Sequence, residues 1–321
     1  MKKYDVIALG ELLVDFSANG MSTQGNSTFE ACPGGAPCNV LAMLSRHKKK
    51  TSFIGRVGND AFGRMLVSAL TEAGVDTSHV LKDNDVNTTL AFVTQSSDGD
   101  REFSFYRKPG ADMMLREEDV DEDYINSAHI FHFGTLSMTH EGVRKATKKA
   151  VNIAKSKGML VSFDPNLREN LWDSLCSAKE QMDYGFRNCD ILKVSDNEVQ
   201  FFTGVINPEE GIKKLIEEYS IPLVFLTCGK EGSSAFYHGK KAYVPAFRVN
   251  VSDATGAGDT FMGEALAYIL DHGMEDLAEE NLKELLLKAN AAAAIVTTRK
   301  GALKAMPDPE ETERLIEKYN G

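Results

Sequence analysis

No stretch of this sequence comes near the roughly 18 consecutive apolar residues that a membrane-spanning helix needs. The first residues also lack the apolar segment and cleavage site of a secretory signal. Positive charge is scarce, since 36 Lys and Arg residues face 47 Asp and Glu residues and leave a net charge of −11. Such an acidic chain repels phosphate backbones and anionic lipid, so we expect neither nucleic acid nor a membrane surface as a partner.

Paired cysteines and the two commonest nucleotide-binding motifs are also missing. The five cysteines form no C-x-x-C pair and are odd in number, which favours reduced thiols in a cytoplasmic protein. No G-x-x-x-x-G-K-[ST] loop occurs, because Gly229-Lys230 is followed by Glu231. The pattern G-x-G-x-x-G fails at Phe261, which stands where its third glycine belongs.

Short apolar runs alternate with stretches of helical periodicity, a pattern that specifies β-α-β units around a parallel sheet. We predict buried strands at residues 6–9, 52–54, 130–133, 160–163, 191–194 and 223–227. We predict helices at residues 39–48, 61–73, 141–157, 209–218 and 260–271, the last with its apolar residues on one face. Because no repeat or linker interrupts the pattern, we expect an α/β protein with a single domain over residues 1–321.

One region breaks this alternation. Residues 88–94 and 101–106 read as two strands joined through the turn dipeptide Asp98-Gly99, with no helix between them, and they predict an antiparallel hairpin. The apolar face of such a hairpin needs another surface to cover it. We expect segments at about 12–30 and 88–112 to form a small lid over the ligand edge of the sheet. Lids with an exposed β face often pair, so we also expect a homodimer through the lid.

Residues 253–261 read Asp-Ala-Thr-Gly-Ala-Gly-Asp-Thr-Phe. Gly256 and Gly258 precede a predicted helix, whose first N–H groups lack partners within the helix and whose dipole favours an anion. Asp259 then has two interpretations. It is either a favourable carboxylate in the first helical turn or a general base beside a bound phosphate, where it takes the proton of an attacking hydroxyl.

A second glycine-rich segment, residues 33–39, precedes another predicted helix. Gly34 and Gly35 let the backbone approach a ligand closely, and Asn39 offers both a donor and an acceptor to hydroxyl groups. A glycine-rich turn that ends in an asparagine helix cap explains the same residues equally well. Taken alone, this segment leaves both interpretations open.

Together, the two segments resemble the signature motifs of the PfkB carbohydrate kinase family, which is ribokinase-like. The first motif comprises residues 34–39 with residues 53–63, the second comprises residues 253–261, and the resemblance covers essentially the whole chain. It implies a three-layer α/β/α fold with a central mostly parallel sheet and a small β-lid. It also implies an ATP-dependent sugar kinase.

The resemblance assigns a task to each motif residue. Gly256, Ala257 and Gly258 would form the anion hole for the transferring phosphoryl group, and Asp259 would be the catalytic base. The residues that would hold sugar hydroxyls are Asp15, Gly34, Gly35, Asn39 and Asp259.

The family's N-x-x-E segment, which organises magnesium and phosphate, is altered in this chain. Glu198 matches the motif, whereas Ser195 replaces the asparagine. A serine hydroxyl can still bond water around a metal, so the resemblance implies that Glu198 holds Mg²⁺ through water. The alternative for Glu198 is a surface residue in the first turn of a helix. The residues expected to contact ATP are Asn166, Ser195, Thr227, Gly229, Gly232, Gly256, Gly258 and Asn290.

The surroundings of Asp253 and Thr255 resemble the family's monovalent-cation loop. Their oxygen atoms, with backbone carbonyls near residues 299–301, suit a hard cation such as K⁺. The cofactors that the resemblance implies are therefore Mg²⁺, which accompanies ATP as co-substrate, and K⁺.

Within the family, residues 101–115, 129–137 and 164–172 resemble those of fructokinases. This similarity implies phosphorylation of D-fructose at its C6 hydroxyl by ATP, which yields fructose 6-phosphate and ADP. Phe105, Arg107 and Arg168 would then contact the sugar. Alternatively, Phe105 belongs to the lid core and Arg107 is an edge-strand charge.

Two other kinds of function stay open at this point. Kinases of 2-keto-3-deoxygluconate share the Tyr106-Arg107 and 164–168 features, and arginines there would bind the substrate carboxylate in bidentate fashion; other sugar or nucleoside kinases of the family are further alternatives. A non-catalytic sugar- or nucleotide-binding regulator is the alternative from a different class. Such a regulator is expected to lose the base or the anion hole, yet Asp259, Gly256 and Gly258 are all present.

Overall fold

A computed structural model describes residues 2–95, 101–275 and 277–320. The strands in this part of the chain are β1 (Tyr4–Leu9), β2 (Leu13–Met21), β3 (Ser27–Gly34), β4 (Thr51–Gly58), β5 (Val75–Asp83), β6 (Leu90–Gln95), β7 (Arg101–Tyr106), β8 (Ala128–Gly134), β9 (Leu160–Asp164), β10 (Ile191–Ser195), β11 (Leu223–Thr227), β12 (Ser233–Tyr237) and β13 (Lys240–Val244). Its α-helices are α1 (Ala36–Arg46), α2 (Ala61–Glu72), α3 (Glu122–Ile125), α4 (Glu141–Ser156), α5 (Leu175–Asn188), α6 (Asp196–Thr203), α7 (Pro208–Tyr219), α8 (Ala257–His272), α9 (Glu279–Thr297) and α10 (Pro309–Asn320). None of these helices, over the described residues, is both long and apolar enough to cross a membrane.

The larger sheet has nine strands in the order β13-β12-β11-β10-β9-β8-β1-β4-β5. The strands from β11 to β5 in this order are parallel. At the other edge, β12 is antiparallel to β11, and β13 is antiparallel to β12. The prediction of a central, mostly parallel sheet is therefore confirmed. Because the strands are parallel, their carboxyl ends meet at one edge, and loops that carry polar residues gather there.

Helices cover both faces of this sheet. Successive side chains of a strand point to opposite faces, and β1 shows the consequence. Val6 and Ala8 pack into a core with α1, α8 and α9, whereas Ile7 and Leu9 pack into a second core with α4, α5 and α7. Strands that are buried on both faces read as continuous apolar runs, which explains why the sequence disclosed them. The three-layer α/β/α arrangement is confirmed.

The smaller sheet forms the lid, in the strand order β3-β2-β6-β7. The strands β6 and β7 pair in antiparallel register, as predicted for the hairpin, and β2 joins them in parallel to β6. The predicted turn at Asp98-Gly99 lies outside the described residues. The lid therefore draws on both predicted segments.

The helix α1 begins three residues earlier than predicted, at Ala36. Its cap is Gly35, whose φ of 128° suits glycine, and a side chain there would collide with the carbonyl of Glu11. Asn39 therefore lies inside the helix, and its interpretation as a helix cap is wrong. From its place in the helix, the Asn39 side chain contacts Asp259 of α8.

The helix α8 is buried on all sides from Asp259 to Ile269, whereas the sequence predicted one apolar face. The reason is that α8 packs between α1 and α9 and also against the sheet, where Phe261 contacts Phe225 of β11. At Gly263, a Cβ atom would lie 2.6 Å from Cβ of Met43 and 2.9 Å from the carbonyl oxygen of Val40. Glycine thus permits the close approach of α1 and α8 and brings their first turns together.

Candidate active site

A cavity of about 460 Å³ lies at the carboxyl edge of the parallel strands, between the lid and the first turns of α1 and α8. This volume falls in the range of small-molecule sites in proteins. The predicted residues that line it are Asp15, Gly35, Asn39, Phe105, Asn166, Arg168, Ser195, Glu198, Thr255, Gly256, Ala257, Gly258 and Asp259. These predicted residues therefore lie together in one cavity.

The carboxylate of Asp259 occupies the centre of this cavity. It is the third residue of α8 and is 6% exposed. Its Oδ2 accepts a hydrogen bond from Nδ2 of Asn39 at 2.8 Å, and its Oδ1 accepts one from Nδ2 of Asn166 at 2.8 Å. Each oxygen of an ionised carboxylate can accept more than one hydrogen bond. The group is thus fixed in orientation and still able to take a proton from a ligand.

The surroundings of Asp259 adjust its acidity in both directions. Burial raises the pKa of Asp259 above that of an ordinary aspartate. The hydrogen bond from Asn39 acts against this rise, and so do the positive charges of Lys193 and Arg168. A base with a raised pKa holds an abstracted proton more strongly than a surface aspartate does.

Asn39 and Asn166 both reach Asp259 from other elements. Asn39 comes from α1 and is 3% exposed, and its Oδ1 is buried without a hydrogen-bond partner among the described residues. Asn166 follows β9 with a φ of 48°, a left-handed conformation that asparagine tolerates better than most residues. Both amides donate to Asp259, and the Oδ1 atom of Asn39 is positioned to accept a hydroxyl group.

The backbone around the start of α8 forms part of the cavity wall. Gly256 caps this 16-residue helix in a left-handed conformation with a φ of 79°, and Ala257 and Gly258 begin the first turn. First-turn N–H groups have no partner within a helix, and the helix dipole adds positive potential at the same place. The turn from Gly256 to Gly258 lines the cavity beside the carboxylate of Asp259, and within it the amide of Ala257 donates to the carbonyl of Ala254 at 3.4 Å.

A lysine that the sequence analysis missed stands opposite this turn. Lys193 of β10 lines the cavity, and its Nζ lies 2.7 Å from the position that a Cβ atom would occupy on Gly258. Its Nζ also lies 3.1 Å from Oδ2 of Asp164. Burial acts to lower the pKa of Lys193, but the carboxylates of Asp164, Glu198 and Asp259 outweigh burial and raise it. The lysine is therefore a positive charge beside the anion hole.

Ser195 and Glu198 form a reciprocal cap at the start of α6. The amide and the hydroxyl of Ser195 both donate to Oε2 of Glu198 at 2.8 Å, and Oε1 of Glu198 accepts from the amide of Leu167 at 2.8 Å. The Glu198 side chain is buried rather than on the surface, so the alternative of a surface helix residue is wrong. Because both oxygens already accept protein donors, water-mediated contact to a metal fits this carboxylate better than direct ligation.

The lid contributes the wall opposite Asp259. Asp15 of β2 faces the cavity, and its enclosure raises its pKa to about 7 although the nearby Arg168 acts to lower it. A side chain on Gly34 would collide with the Asp15 carboxylate, so the glycine leaves room for it. Phe105 of β7 lines the same wall.

Arg168 donates to the carbonyl of Leu167 at 3.0 Å and reaches the cavity from the loop after β9.

Asp253 ties together two loops behind the anion hole. Its Oδ1 accepts from the amide of Thr255 at 2.8 Å, and its Oδ2 accepts from the amide of Gly301 at 3.2 Å. The predicted cation loop and the segment near residues 299–301 are thus neighbours. Among the described residues, no group of three or more His, Cys, Asp or Glu side chains is arranged to hold a metal ion. An ion at this loop would depend on backbone and hydroxyl oxygens in addition to Asp253.

Comparisons with known proteins point to one family. The profile of the pfkB family carbohydrate kinases matches residues 3–309. The chain belongs to this family. Fructokinase-1 of Zea mays is 40% identical to the kinase over 315 residues, which cover 98% of each chain. Fructokinase-2 of Oryza sativa subsp. japonica is 41% identical over 316 residues, which cover 98% of this chain and 94% of that protein.

Solved structures resemble the kinase over nearly its full length. The crystal structure of fructokinase from Xylella fastidiosa with bound ATP has a TM-score of 0.87 and 30% identity, covering 98% of this chain and 99% of that one. Fructokinase from Vibrio cholerae O395, in a form that binds fructose, ADP and a calcium ion, has a TM-score of 0.87 and 31% identity with the same coverage. These likenesses confirm the ribokinase-like fold.

Arg107, a predicted sugar contact, is not among the residues that line the cavity of the kinase. It is 5% exposed, and its guanidinium lies 2.6 Å from the Asp112 carboxylate. It also donates to the hydroxyl of Thr139 at 2.7 Å and to the carbonyl of Leu136 at 3.0 Å. The residue therefore anchors the end of β7 to the body, and the alternative of an edge-strand surface charge is wrong.

Four predicted ATP contacts also lie away from this cavity. Thr227 ends β11 beside Ser195, and Gly229 and Gly232 belong to the turn that follows. Asn290 of α9 accepts from the hydroxyl of Ser233 at 2.8 Å and donates to the carbonyl of Val244 at 3.0 Å. These four residues extend the same sheet edge beyond the cavity, and Asn290 holds two strands to α9.

Lys193 and Glu11 are buried charged residues of the cavity that were not predicted, although each carried a signal. Lys193 stands in the apolar run Ile191-Leu192-Lys193-Val194, where a charged residue is out of place in a strand that is buried on both faces. Glu11 lies two residues after the end of β1 and is 3% exposed. In both cases a charge at or near the carboxyl end of a buried strand was the available sign.

Replacing Asn39 by Ala removes the donor to Oδ2 of Asp259 and should raise the pKa of Asp259 further. Asp259 must be ionised to accept a proton, so the acidic limb of kcat/KM for the sugar should move to higher pH. Activity at pH 6 should fall by roughly tenfold more than activity at pH 8. The pH profile of kcat/KM measures this effect. Asn152→Ala, on the exposed side of α4, is the control, and an acidic limb that stays in place in Asn39→Ala would contradict the prediction.

Proposed function

We propose that this kinase transfers the γ-phosphoryl group of ATP to the C6 hydroxyl of D-fructose, which yields fructose 6-phosphate and ADP. The observation that carries the proposal is the Asp259 carboxylate, whose oxygens are held by Asn39 and Asn166 at the first turn of α8. The choice of sugar is supported by the fructokinases of maize and rice, and by the Vibrio cholerae fructokinase that binds fructose and ADP.

In this reaction Asp259 takes the proton of the C6 hydroxyl. The hydroxyl oxygen forms a bond to the γ-phosphorus while the bond from that phosphorus to the ADP oxygen breaks. The proton stays on Asp259 until the products leave. Asn39 and Asn166 keep the carboxylate oriented toward the hydroxyl, and a general base so positioned contributes about 10²–10⁴ in rate.

The charge on the transferring phosphoryl group is stabilised from two sides. The N–H groups of the turn from Gly256 to Gly258 face it from the helix, and the ammonium group of Lys193 stands beside the same turn. Positioned donors contribute about 10²–10³ in rate each in comparable sites. Burial strengthens the effect, because the cavity has a lower effective dielectric constant than water.

Two cations complete the proposed site. Mg²⁺ bound with ATP neutralises negative charge on the phosphates, and Glu198 would hold it through water because its oxygens already accept from Ser195 and Leu167. K⁺ would bind at the loop of Asp253 and Thr255. Related fructokinase structures that contain a potassium or a calcium ion support cation binding in the family.

The charges in the cavity favour a neutral sugar over a sugar acid. Asp15, Glu11 and Asp259 line its walls, and three carboxylates repel an acidic substrate. Of the two arginines that a carboxylate ligand would use, Arg107 is already bound to Asp112. Arg168 is then the remaining arginine, which argues against bidentate recognition of 2-keto-3-deoxygluconate by the pair.

The proposed partners are small molecules, namely the sugar and ATP. All five cysteines are free thiols, which supports the cytoplasm as the compartment of the reaction because thiols stay reduced there. The net charge of −11 argues against nucleic acid and anionic membranes as partners.

We also propose that the lid mediates a homodimer. Alternate residues of its strands face opposite sides, so Asp15 and Phe105 face the cavity while Phe16 and Tyr106 face away from it. On that outer face Phe92 stacks on Phe16 with ring centroids 4.8 Å apart. The exposed apolar residues at this face are Met21 at 66%, Phe29 at 40% and Tyr106 at 66%. Such a patch is typical of a protein interface.

The substrate proposal predicts that ADP release is fastest with fructose in a panel that includes ribose, adenosine and 2-keto-3-deoxygluconate. The value of kcat/KM for fructose should exceed the others by about tenfold or more. Phosphorus–proton coupling in the NMR spectrum of the product should locate the phosphate on C6. Turnover with 2-keto-3-deoxygluconate alone would overturn the sugar assignment, and no turnover with any of the four would overturn the kinase reaction itself.

The mechanism predicts that Asp259→Asn lowers kcat by about 10²–10⁴ and that Lys193→Met lowers it by about 10²–10³. Asp259→Asn should still bind ATP in calorimetry, because it leaves every positive charge of the site in place. Lys213→Met, at an exposed position of α7, is the matched control and should keep full activity. If Asp259→Asn kept its turnover, Asp259 would be only a charge at a helix terminus.

The dimer proposal predicts a solution mass of twice the 35.2 kDa chain in analytical ultracentrifugation. The double variant Phe29→Glu with Tyr106→Glu should be monomeric at the same concentration, because burying two added carboxylates at the interface is costly. Tyr243→Glu changes an exposed tyrosine on β13 and should leave the mass unchanged. A wild-type protein that sediments as a monomer would refute the proposal.

A further inference from the structure

Glu11 is a carboxylate in the cavity to which no motif gave a task. It follows β1, lines the same cavity as Asp15 and Asp259, and is 3% exposed. The reaction steps above use Asp259 and leave Glu11 without a role. A glutamate this deeply buried is rare in proteins unless something binds it.

The position of Glu11 is fixed by contacts with the start of α1. Its Oε1 accepts a hydrogen bond from the amide of Ala36 at 2.7 Å, and its carbonyl accepts one from Sγ of Cys38 at 3.6 Å. The backbone of Gly35 packs so closely on the Glu11 carbonyl that a side chain there would collide with it. Glu11 therefore presents its second carboxylate oxygen in a defined place before any ligand arrives.

Among the described residues, Ala36 is the other residue that donates to this carboxylate, and the further backbone donor is the amide of Glu11 itself. An ionised carboxylate has about four acceptor sites, and in folded proteins the sites that face a cavity usually bond a ligand or water. Burial raises the pKa of Glu11 to about 7, and the negative charge of Asp112 adds to the rise while Arg107 and two backbone amides oppose it. The carboxylate can accept further hydrogen bonds, and the cavity that it lines is the place from which a donor can come.

We propose that Glu11 binds the sugar, accepting through Oε2 a hydrogen bond from one of its hydroxyl groups. Glu11 is then a specificity-determining residue that requires a hydroxyl at one position of the substrate and repels an anionic group there. This inference rests on the proposed function for the class of ligand, a neutral ketose. A hydrogen bond from a hydroxyl to a carboxylate is stronger than one between neutral groups.

The other role open to Glu11 is that of a helix cap for α1, and one substitution separates the two. Glu11→Gln keeps an oxygen to accept from Ala36 and keeps the size of the side chain. It replaces the second oxygen by an amide donor, which cannot accept from a hydroxyl. A cap role therefore survives the change, and a role in sugar binding does not.

The experiment compares wild type and Glu11→Gln on fructose and on fructose analogues that each lack one hydroxyl group. For the variant, KM for fructose should rise about tenfold to hundredfold while KM for ATP stays within about twofold. Wild type should discriminate against one analogue through Glu11, and Glu11→Gln should lose that discrimination by about tenfold or more while keeping it for the other analogues. Glu11→Asp, which withdraws the carboxylate by one methylene group, should lose the same discrimination and serves if Glu11→Gln does not fold.

The control is Glu264→Gln, which alters a buried glutamate that contacts His47 outside the cavity at 2.7 Å. It should lower the unfolding temperature and keep the analogue pattern of wild type. If both Glu11 variants discriminate among the analogues as wild type does, Glu11 only caps α1 and the inference is overturned. A wild-type protein that does not phosphorylate fructose overturns the proposed function instead, and the two failures are thereby distinct.

Discussion

The approach of α1 to α8 is the constraint on which the site depends. Gly263 lets the helices touch at Met43, and their first turns then meet at the hydrogen bond between Asn39 and Asp259. These residues are far apart in sequence, yet the bond joins the glycine-rich turn that ends the lid to the glycine-rich turn that forms the anion hole. A small displacement of either helix would separate the base from the amide that orients it, and positioning errors of this size are costly in catalysis.

Buried charge is the second organising feature. Lys193 faces three carboxylates, those of Asp164, Glu198 and Asp259, at the carboxyl edge of the sheet. Isolated charges are expensive to bury, and only pairing and hydrogen bonds make such a cluster tolerable. The cluster stays ordered because Glu198 is satisfied by Ser195 and the loop after β9. Ser195, which departs from the family's pattern, thus preserves the local structure through its hydroxyl group.

The two faces of the lid strands carry different kinds of residues. One face carries Asp15 and Phe105 to the cavity, and the other carries the aromatic rings around Phe92. Its base is held by Asp112, which binds Arg107 after β7 and the hydroxyl of Thr89 before β6. A buried ion pair that is fully hydrogen-bonded favours one geometry over its alternatives. The lid is therefore fastened at the point where its hairpin enters and leaves the body.

The sequence by itself determined the parallel sheet, the hairpin and the glycine-rich turns, because periodicity and turn residues act locally. It also placed Asp259, Asn39 and Asp15 in one site through the family's motifs. Tertiary structure alone decided that Asn39 and Asn166 hold Asp259, that Arg107 anchors the lid and that Lys193 and Glu11 face the cavity. Those facts depend on which distant elements pack together and on which side chains remain unsatisfied, and neither property is encoded within any single segment.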